Sequence, residues 1–327
     1  MKTREVFITD ILPHMSAEAP AVFDVVGIGA NSVDYVYRLP AYPERDGPNA
    51  KMRISSHSLC CGGQVATALC TCAAMGLRAK YIGATGTDDN GRRVREELAR
   101  HGIDMIDAVI RDVTNQFAVI MVDEHAGERI VLWDRAEGLL LRPREVPPEA
   151  LAAARVVHVD DVDQEAAIMA AAIARGAGRI VTSDIDRITA RTEALVQSVT
   201  IPIFAEHVPA ALTGETDFER ALRDLRRLND GLMCVTLGPR GAVALDGDTF
   251  YHEPAFTVDA VDTTGAGDVF RGAFITALLR GERARDAIRF ANAAAAISCT
   301  RLGAINGVPT YDEAAALADG KPVGTPR

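Results

Sequence analysis

The stretch that decides the fold is Val261-Asp262-Thr263-Thr264-Gly265-Ala266-Gly267-Asp268, which runs directly into the apolar segment 269–279. Within that segment, apolar residues recur at spacings of one, three and four, which predicts a helix with a single apolar stripe. The stripe consists of Val269, Phe270, Ala273, Phe274, Ala277 and Leu278. Gly281 follows at the position where a glycine commonly ends a helix.

The residues in front of this helix predict an anion site. A helix N-terminus carries about half a positive charge and several unpaired N–H donors, and small residues such as Gly265, Ala266 and Gly267 let those donors converge. Asp268 places a carboxylate beside that site, as general-base catalysis of phosphoryl transfer to a hydroxyl requires. The same four residues are equally compatible with an aspartate that only caps its helix.

The full string 262–268, followed by the aromatic Phe270, resembles the C-terminal signature of the ribokinase (PfkB-type) carbohydrate kinases. The resemblance continues in motif order from about residue 22 to about residue 310. It implies that Asp268 is the catalytic base and that the amides of Gly265, Ala266 and Gly267 form the anion hole. It also implies transfer of the γ-phosphoryl group of Mg-ATP to a sugar, with features closest to sulfofructose kinase and ketohexokinase.

The composition excludes several other classes of protein. A net charge of −10 argues against a nucleic-acid-binding protein, which would need a basic surface. No run of about 18 apolar residues is present, so we expect no membrane span and no membrane partner. The six cysteines lack zinc-site spacing and the density of a secreted disulfide scaffold. We therefore expect a cytoplasmic protein, with residues 1–21 as an N-terminal extension and 22–327 as the kinase domain.

Strand and helix patterns alternate along most of the chain, which predicts an α/β fold: a doubly wound, mostly parallel sheet with helices on both faces. Strands are predicted over 21–28, 79–83, 156–159, 180–182, 201–205 and 233–237. Helices are predicted over 62–74, 91–100, 164–175, 215–228 and 283–300.

One region breaks this alternation and predicts a small antiparallel β lid, built from about 36–60 and 112–135. Two strand-like runs, 116–122 and 129–133, are joined by polar turn residues, and 54–59 reads as a third strand. A sheet that projects from a doubly wound domain can cover an active site. Because edge strands tend to pair, we also hypothesise a homodimer formed through the lid.

The familiar nucleotide-binding motifs are missing. Gly27-Ile28-Gly29 follows a predicted strand, but Ser32 stands where the dinucleotide pattern requires a third glycine. No P-loop sequence occurs anywhere in the chain. The turn 265–268 is therefore the best candidate for holding the phosphates of ATP.

On the acceptor side, the resemblance assigns Asp34 to accept hydrogen bonds from sugar hydroxyls, with Asn31 beside it. Residues 31–34 could instead be turn residues that close the first strand. The resemblance further implies sugar contacts from other positions. These are Lys51, the Gly62-Gly63 turn and Arg129.

On the nucleotide side, the resemblance gives ATP contacts to a strand and the glycine turn that follows it, although a plain β-turn is the alternative. The residues concerned are Thr236, Gly238 and Gly241, with Asn292 against the adenine. Glu206 is the candidate for a water-mediated magnesium contact. Asp262 and Thr264 occupy the positions that hold a monovalent cation such as potassium in some relatives.

The acceptor itself is predicted less directly. Asp160-Asp161-Val162-Asp163 places a cluster of carboxylates after a central strand, and such a cluster would repel an anionic substrate. We therefore expect a neutral ketose or pentose first and sulfofructose or another anionic sugar second. A nucleoside comes third, because only 5% of the residues are aromatic. A non-catalytic sugar-binding regulator with the same fold is the competing hypothesis.

Overall fold

A computed structural model describes residues 21–125 and 129–321. Over these residues the chain forms fourteen strands and ten α-helices. The strands are β1 Phe23–Ile28, β2 Ser32–Leu39, β3 Ser56–Gly62, β4 Ala79–Ile82, β5 Ala84–Gly86, β6 Val109–Arg111, β7 Phe117–Asp123, β8 Arg129–Asp134, β9 Ala154–Asp160, β10 Ile180–Asp184, β11 Ile203–Ala205, β12 Met233–Thr236, β13 Ala242–Asp246 and β14 Thr249–Glu253. The helices are α1 Gln64–Ala74, α2 Asp89–Arg100, α3 Pro148–Ala152, α4 Gln164–Gly176, α5 Thr192–Ser198, α6 Val208–Thr213, α7 Phe218–Leu225, α8 Ala266–Leu279, α9 Ala284–Cys299 and α10 Tyr311–Ala318.

The centre of the molecule is a mostly parallel sheet. Four parallel strands lie in the order β10-β9-β1-β4. A second group, β11-β12-β13-β14, begins with a parallel pair and ends with two antiparallel pairs. The two groups adjoin, because parallel bridges connect Thr182 with Ile201 and Ile185 with Phe204. The carboxyl ends of β1, β9, β10 and β11 therefore lie along one edge, where open α/β sheets bind ligands.

Helices cover both faces of this sheet, as the sequence predicts. Alternation along β1 sends Val25 into one core and Val26 into the other, since successive side chains point to opposite faces of a strand. The first core is completed by α1, α8 and α9, and Phe274 of α8 lies at its centre. The second core is completed by α4, α5 and α7, where Leu195 and Leu222 are fully buried. The doubly wound architecture is confirmed.

The predicted lid is a four-stranded sheet in the order β3-β2-β7-β8. The β7–β8 pair is antiparallel, as expected for the hairpin, and β3 pairs antiparallel with β2. The lid is nevertheless not wholly antiparallel, because β2 and β7 run parallel. A small apolar cluster, built on Val36, Ala118 and Ile120, packs within this sheet, while Val33 of β2 joins the first core.

Several boundaries differ from the sequence-based expectation. The clearest miss is β2, because the polar residues from Ser32 to Asp34 begin a lid strand instead of closing the first core strand. The predicted helix 215–228 is shortened to Phe218–Leu225, where Asp217 caps the first turn. The lid turn at 126–128 and residues 1–20 of the predicted extension lie outside the described residues. None of the described helices has the length and apolar character needed to cross a bilayer.

Candidate active site

The quoted stretch forms a tight turn at the start of α8. Gly265 is the N-cap residue and has a φ of +75°, a conformation that glycine adopts without strain. The first intrahelical hydrogen bond runs from Val269 N to Gly265 O, so the N–H groups of Gly267 and Asp268 precede it and point out of the helix end. The amide of Ala266 is partly engaged, because it donates to Thr263 O at 3.3 Å.

Asp268 lies in the first turn of α8 and is half-buried. It is hydrogen-bonded to Asp184, the last residue of β10. Burial raises the pKa of Asp268 well above its ordinary value, and the like charge of Asp184 raises it further, whereas Arg271 opposes both. Burial likewise raises the pKa of Asp184 to about 6. Carboxyl groups perturbed in this way mark functional sites.

Asp34, the predicted acceptor ligand, lies in the lid strand β2 and is 6% exposed. Its Oδ1 accepts a hydrogen bond from Ser32 Oγ at 3.0 Å. Burial raises the pKa of Asp34 to about 6; the Ser32 hydrogen bond opposes this shift, and the charge of Asp262 adds to it. A side chain of this kind can accept hydrogen bonds from sugar hydroxyls once it is ionised.

Close backbone approaches join the predicted acceptor side to the tight turn 263–268, the predicted catalytic turn. A Cβ on Gly62 would lie 2.8 Å from Asp34 Oδ2 and 3.5 Å from the Ala304 Cβ. A Cβ on Gly265 would lie 2.5 Å from that same Ala304 Cβ. Gly62 and Gly265 therefore both lie against Ala304, and Asp34 lies against Gly62. The predicted acceptor side and the predicted anion hole are thus close together.

Arg129 and Arg38 carry contacts from the lid onto the signature stretch. Arg129 Nη1 donates to Thr263 Oγ1 at 3.0 Å and to Thr264 Oγ1 at 3.4 Å. Arg38 Nη2 donates to Val261 O at 2.8 Å. Lys51 lies in an exposed loop just after the short helical turn Pro48–Ala50, and its contact with an acceptor stays a prediction.

Residues of the predicted nucleotide side lie along the carboxyl ends of β11 and β12. Thr236 Oγ1 donates to Phe204 O at 3.3 Å, and a 3-10 turn over Gly238–Arg240 follows. A Cβ on Gly241, at φ +91°, would lie 2.1 Å from Glu253 O, so only glycine fits there. Glu206 Oε1 pairs with Arg240 Nη2 at 2.5 Å, which holds this carboxylate beside the turn.

Asn292 and Asp262 make internal contacts. Asn292 Nδ2 donates to Glu253 O at 3.0 Å and to Pro254 O at 3.2 Å, which ties α9 to the end of β14. Asp262 accepts the N–H of Thr264 and the N–H of Gly303, each at 2.9 Å. Asp262 thus fixes the signature stretch to the loop after α9. The predicted adenine and cation contacts of these residues remain predictions.

Comparisons with known proteins agree with this geometry. The model of the pfkB family carbohydrate kinases matches residues 28–311. The chain belongs to this family of carbohydrate kinases.

A rice (Oryza sativa subsp. japonica) fructokinase-1 is 30% identical over 285 residues, which cover 79% of this chain and 88% of that protein. A nucleoside kinase of Methanothermobacter thermautotrophicus is 27% identical over 298 residues, covering 89% of this chain and 94% of the relative. The crystal structure of an Agrobacterium tumefaciens protein assigned as a ribokinase matches with a TM-score of 0.84 at 29% identity. The match covers 91% of this chain and 98% of that structure.

In this pfkB-family chain, Asn31 and Gly63 make internal structural contacts, and their contacts with a sugar stay predictions. Asn31 is 3% exposed, and its Nδ2 donates to the Tyr81 hydroxyl at 2.7 Å and to Ala84 O at 2.8 Å. Its Oδ1 accepts from Asn115 Nδ2 at 3.0 Å, a partner that the sequence did not suggest. Gly63, at φ +99°, lies so close to the Asn31 backbone that a Cβ would come within 2.4 Å of it.

The carboxylates of Asp160, Asp161 and Asp163 are hydrogen-bonded or ion-paired within the protein. This corrects the expectation that they would repel an anionic acceptor. Asp160 accepts the Ala30 N–H at 2.6 Å, and burial raises the pKa of Asp160 to about 8. Asp161 Oδ2 accepts the N–H of Asp186 and that of Arg187. Asp163 pairs with Arg135 at 2.8 Å. These groups therefore contribute much less repulsion than their sequence suggests.

Asp184 and Arg271 are the residues that sequence reasoning missed. Arg271 is 3% exposed, and its Nη2 lies 2.6 Å from Asp184 Oδ1. A signal was present for Arg271, because it interrupts an otherwise apolar helix three residues after Asp268. Asp184 gave no local signal, since its role depends on β10 ending beside α8.

Proposed function

We propose that the protein transfers the γ-phosphoryl group of Mg-ATP to a hydroxyl of a small neutral sugar, a ketose or a pentose. The observation that carries this proposal is the shared site of Asp268 and Asp34. The base lies at a helix N-terminus, the acceptor ligand lies on the lid, and Ala304 contacts the glycines of both sides.

The reaction follows from the residues at the site. Asp34 accepts hydrogen bonds from acceptor hydroxyls and presents one of them to Asp268. The carboxylate of Asp268 takes the hydroxyl proton as the oxygen–phosphorus bond forms, and ADP departs with the electron pair of the broken phosphorus–oxygen bond. The N–H groups at the start of α8 stabilise the charge on the phosphoryl oxygens.

The cofactor requirement is ATP with Mg²⁺, and K⁺ is a further possibility within the proposal. Bound magnesium supplies charge neutralisation on the phosphates. Glu206 is the candidate for a water-mediated contact, since its pairing with Arg240 holds it at the Gly238–Arg240 turn. For K⁺, Asp262 and Thr264 are the candidate ligands, because both lie where the signature stretch meets the Gly303 loop.

The relatives support the acceptor class without fixing it. They include proteins described as a fructokinase, a ribokinase and a nucleoside kinase. The acceptors that these names indicate share a five-membered sugar ring or its open form. A neutral sugar stays first because the names fructokinase and ribokinase point to neutral acceptors. An anionic sugar such as sulfofructose is kept as the second candidate, because the Asp160–Asp163 carboxylates are internally bonded. A nucleoside is third, because only 5% of the residues are aromatic.

The test is ADP release with Mg-ATP against free ketoses, aldopentoses, sugar acids, sugar phosphates, sulfofructose and nucleosides. We expect turnover on a neutral sugar, and a fall of roughly 10² to 10⁴ in kcat for Asp268→Asn, the range for loss of a general base. Asp259→Asn, an exposed aspartate nearby, is the matched control and should keep full activity. Turnover of Asp268→Asn near the wild-type rate would overturn the assignment of the base, and turnover only on nucleosides would overturn the acceptor class.

We also propose a homodimer formed through the lid, and a cytoplasmic location. Every residue of β8 is exposed, and β8 is an edge of the lid sheet. Its apolar side chains from Ile130 to Trp133 are 40% to 61% exposed. An exposed apolar edge strand is suited to pairing with another copy.

A further inference from the structure

We propose that Arg271 and Asp184 are positioning residues for the catalytic base: Asp184, held by its ion pair with Arg271, orients Asp268 through a hydrogen bond, and the charge of Arg271 keeps Asp268 able to ionise. This inference rests on the proposed function, because it concerns the same base. It adds two residues to the reaction that no part of the signature stretch contains.

The contacts place Arg271 underneath the catalytic turn. Its Nη2 lies 2.6 Å from Asp184 Oδ1, and its Nη1 packs against Gly267, where a Cβ would come within 2.8 Å. Arg271 follows Asp268 by three residues on the same helix, so both side chains lie on one face. Gln64, at the start of α1, donates a further hydrogen bond to Asp184.

Charge explains why this arrangement matters for a base. Asp268 and Asp184 are two hydrogen-bonded carboxyl groups, and two such groups that share a site resist double ionisation. Arg271, at 3% exposure, is the cation paired with Asp184, and its charge also acts on Asp268. Its charge favours the ionised form of Asp268 and so opposes the effects of burial and of Asp184.

The neighbouring ionisable groups described next carry no positive charge that could replace that of Arg271. The acidic groups that act on the pair from other elements are Asp34 of β2, Asp161 after β9 and Asp186 after β10. His158 of β9 faces Arg271, but burial lowers the pKa of His158 to about 3, so its imidazole is neutral. Cys234 of β12, also close to Arg271, is a neutral thiol, because burial raises its pKa to about 12.

The test compares two substitutions that should act in opposite directions. Arg271→Met removes the positive charge, so the pKa of Asp268 rises and the acid limb of the kcat–pH profile moves to higher pH. Asp184→Asn removes the like charge, so the acid limb moves to lower pH. Each shift should be about one pH unit or more, the usual effect of a close charge. Arg280→Met, exposed at the far end of α8, is the control and should leave the profile in place.

A second measurement does not require turnover. The carboxyl carbon of Asp268 can be titrated by ¹³C NMR in the ligand-free protein and assigned by its absence in Asp268→Asn. If no sugar is phosphorylated by the wild type, the proposed function fails, yet the two opposite pKa shifts can still be seen. If the sugar is phosphorylated but both variants keep the wild-type pKa, or shift it in the same direction, the positioning role is overturned.

A failure of Arg271→Met to fold must be distinguished from a loss of the positioning role. If Arg271→Met does not fold, Arg271→Lys carries the test, because lysine keeps the charge but not the two-sided contact. For Arg271→Lys we expect the pKa of Asp268 to stay near the wild-type value while kcat at the plateau falls about tenfold or more, since a misplaced base is costly. A plateau kcat equal to that of the wild type would contradict the role of Arg271 in orienting the base.

Discussion

Replacing Gly62 by alanine tests the acceptor side of the cleft directly. The backbone of Gly62 lies outside the left-handed region, so alanine costs no strain there, in contrast to Gly63 at φ +99°. The new Cβ, however, would lie 2.8 Å from Asp34 Oδ2 and 3.6 Å from its Cγ. Because real Cβ atoms do not come this close to an oxygen, the Asp34 carboxylate must turn away from its present position.

The size of the effect follows from what Asp34 does. A hydrogen bond to a charged group contributes about 1.5 to 3 kcal/mol, and the displaced carboxylate would lose such a bond to the sugar. That loss corresponds to a fall of roughly 10- to 150-fold in kcat/KM for the sugar. The site for ATP does not include Gly62, so KM for ATP should change by less than about twofold.

The assay is the initial rate of ADP release on the best sugar, together with the affinity for the sugar measured by calorimetry. Gly176→Ala is the matched control, because a Cβ on Gly176 meets no atom within 4 Å. A thermal melt of both variants close to that of the wild type shows that the fold is kept. A kcat/KM for the sugar within about twofold of the wild type would refute the role given to Asp34.

Three further outcomes test other parts of the structure. Arg135→Met leaves the carboxylate of Asp163, 3% exposed, without its ion-pair partner, and should lower the free energy of unfolding by about 3 to 5 kcal/mol in urea titrations. As the control, Arg92→Met, at an exposed ion pair, should change the free energy of unfolding by less than about 1 kcal/mol. Equal losses for the two variants would contradict the argument that the buried pair matters more. Since the raised pKa of Asp34 is about 6, its ionised, hydrogen-bond-accepting form is lost as the pH falls through 6. Calorimetry should therefore show the affinity for the sugar declining in that range. An affinity that stays constant from pH 7.5 to 5 would argue against Asp34 as the sugar ligand. Leu132→Glu, at a side chain 55% exposed on β8, should convert a dimer to a 34.9 kDa monomer in light scattering, whereas a monomeric wild type would dismiss the lid interface.

The catalytic turn could be predicted because its information is local. A glycine N-cap, an apolar helical stripe and Asp268 lie within twenty residues of each other, and Gly281 does end α8 with a φ of +81°. The same holds for the hairpin β7–β8, whose strands are separated by only five residues in the sequence, 124–128. In both cases the pattern that forms the element also places a residue that we propose to be functional.

The rest of the site depends on contacts between distant segments, which single-sequence patterns do not report. Asp184 is 84 positions from Asp268 in the printed numbering, and only the end of β10 beside α8 brings them together. The Asp160–Asp163 run shows the opposite failure: it reads as a negative surface, but tertiary hydrogen bonds use up its carboxylates. The hydrogen bonds of Asn31 to Tyr81 and Asn115 were likewise not visible in the sequence, and its contact with the sugar stays a prediction.

The link between the core sheet and the lid has a mechanical consequence. Only three residues, 29–31, separate the end of β1 at Ile28 from the start of β2 at Ser32, and the side-chain amide of Asn31 is hydrogen-bonded to Tyr81 and Asn115. If Asn31 is the fulcrum, the strand rise of about 3.3 Å per residue puts Asp34 about 10 Å along the lever and Leu39 about 26 Å along it. A swing that carries the lid tip by about 8 Å would then move Asp34 by only about 3 Å. The proposed sugar ligand Asp34 would therefore move much less than the tip of the lid if the lid opens and closes about Asn31.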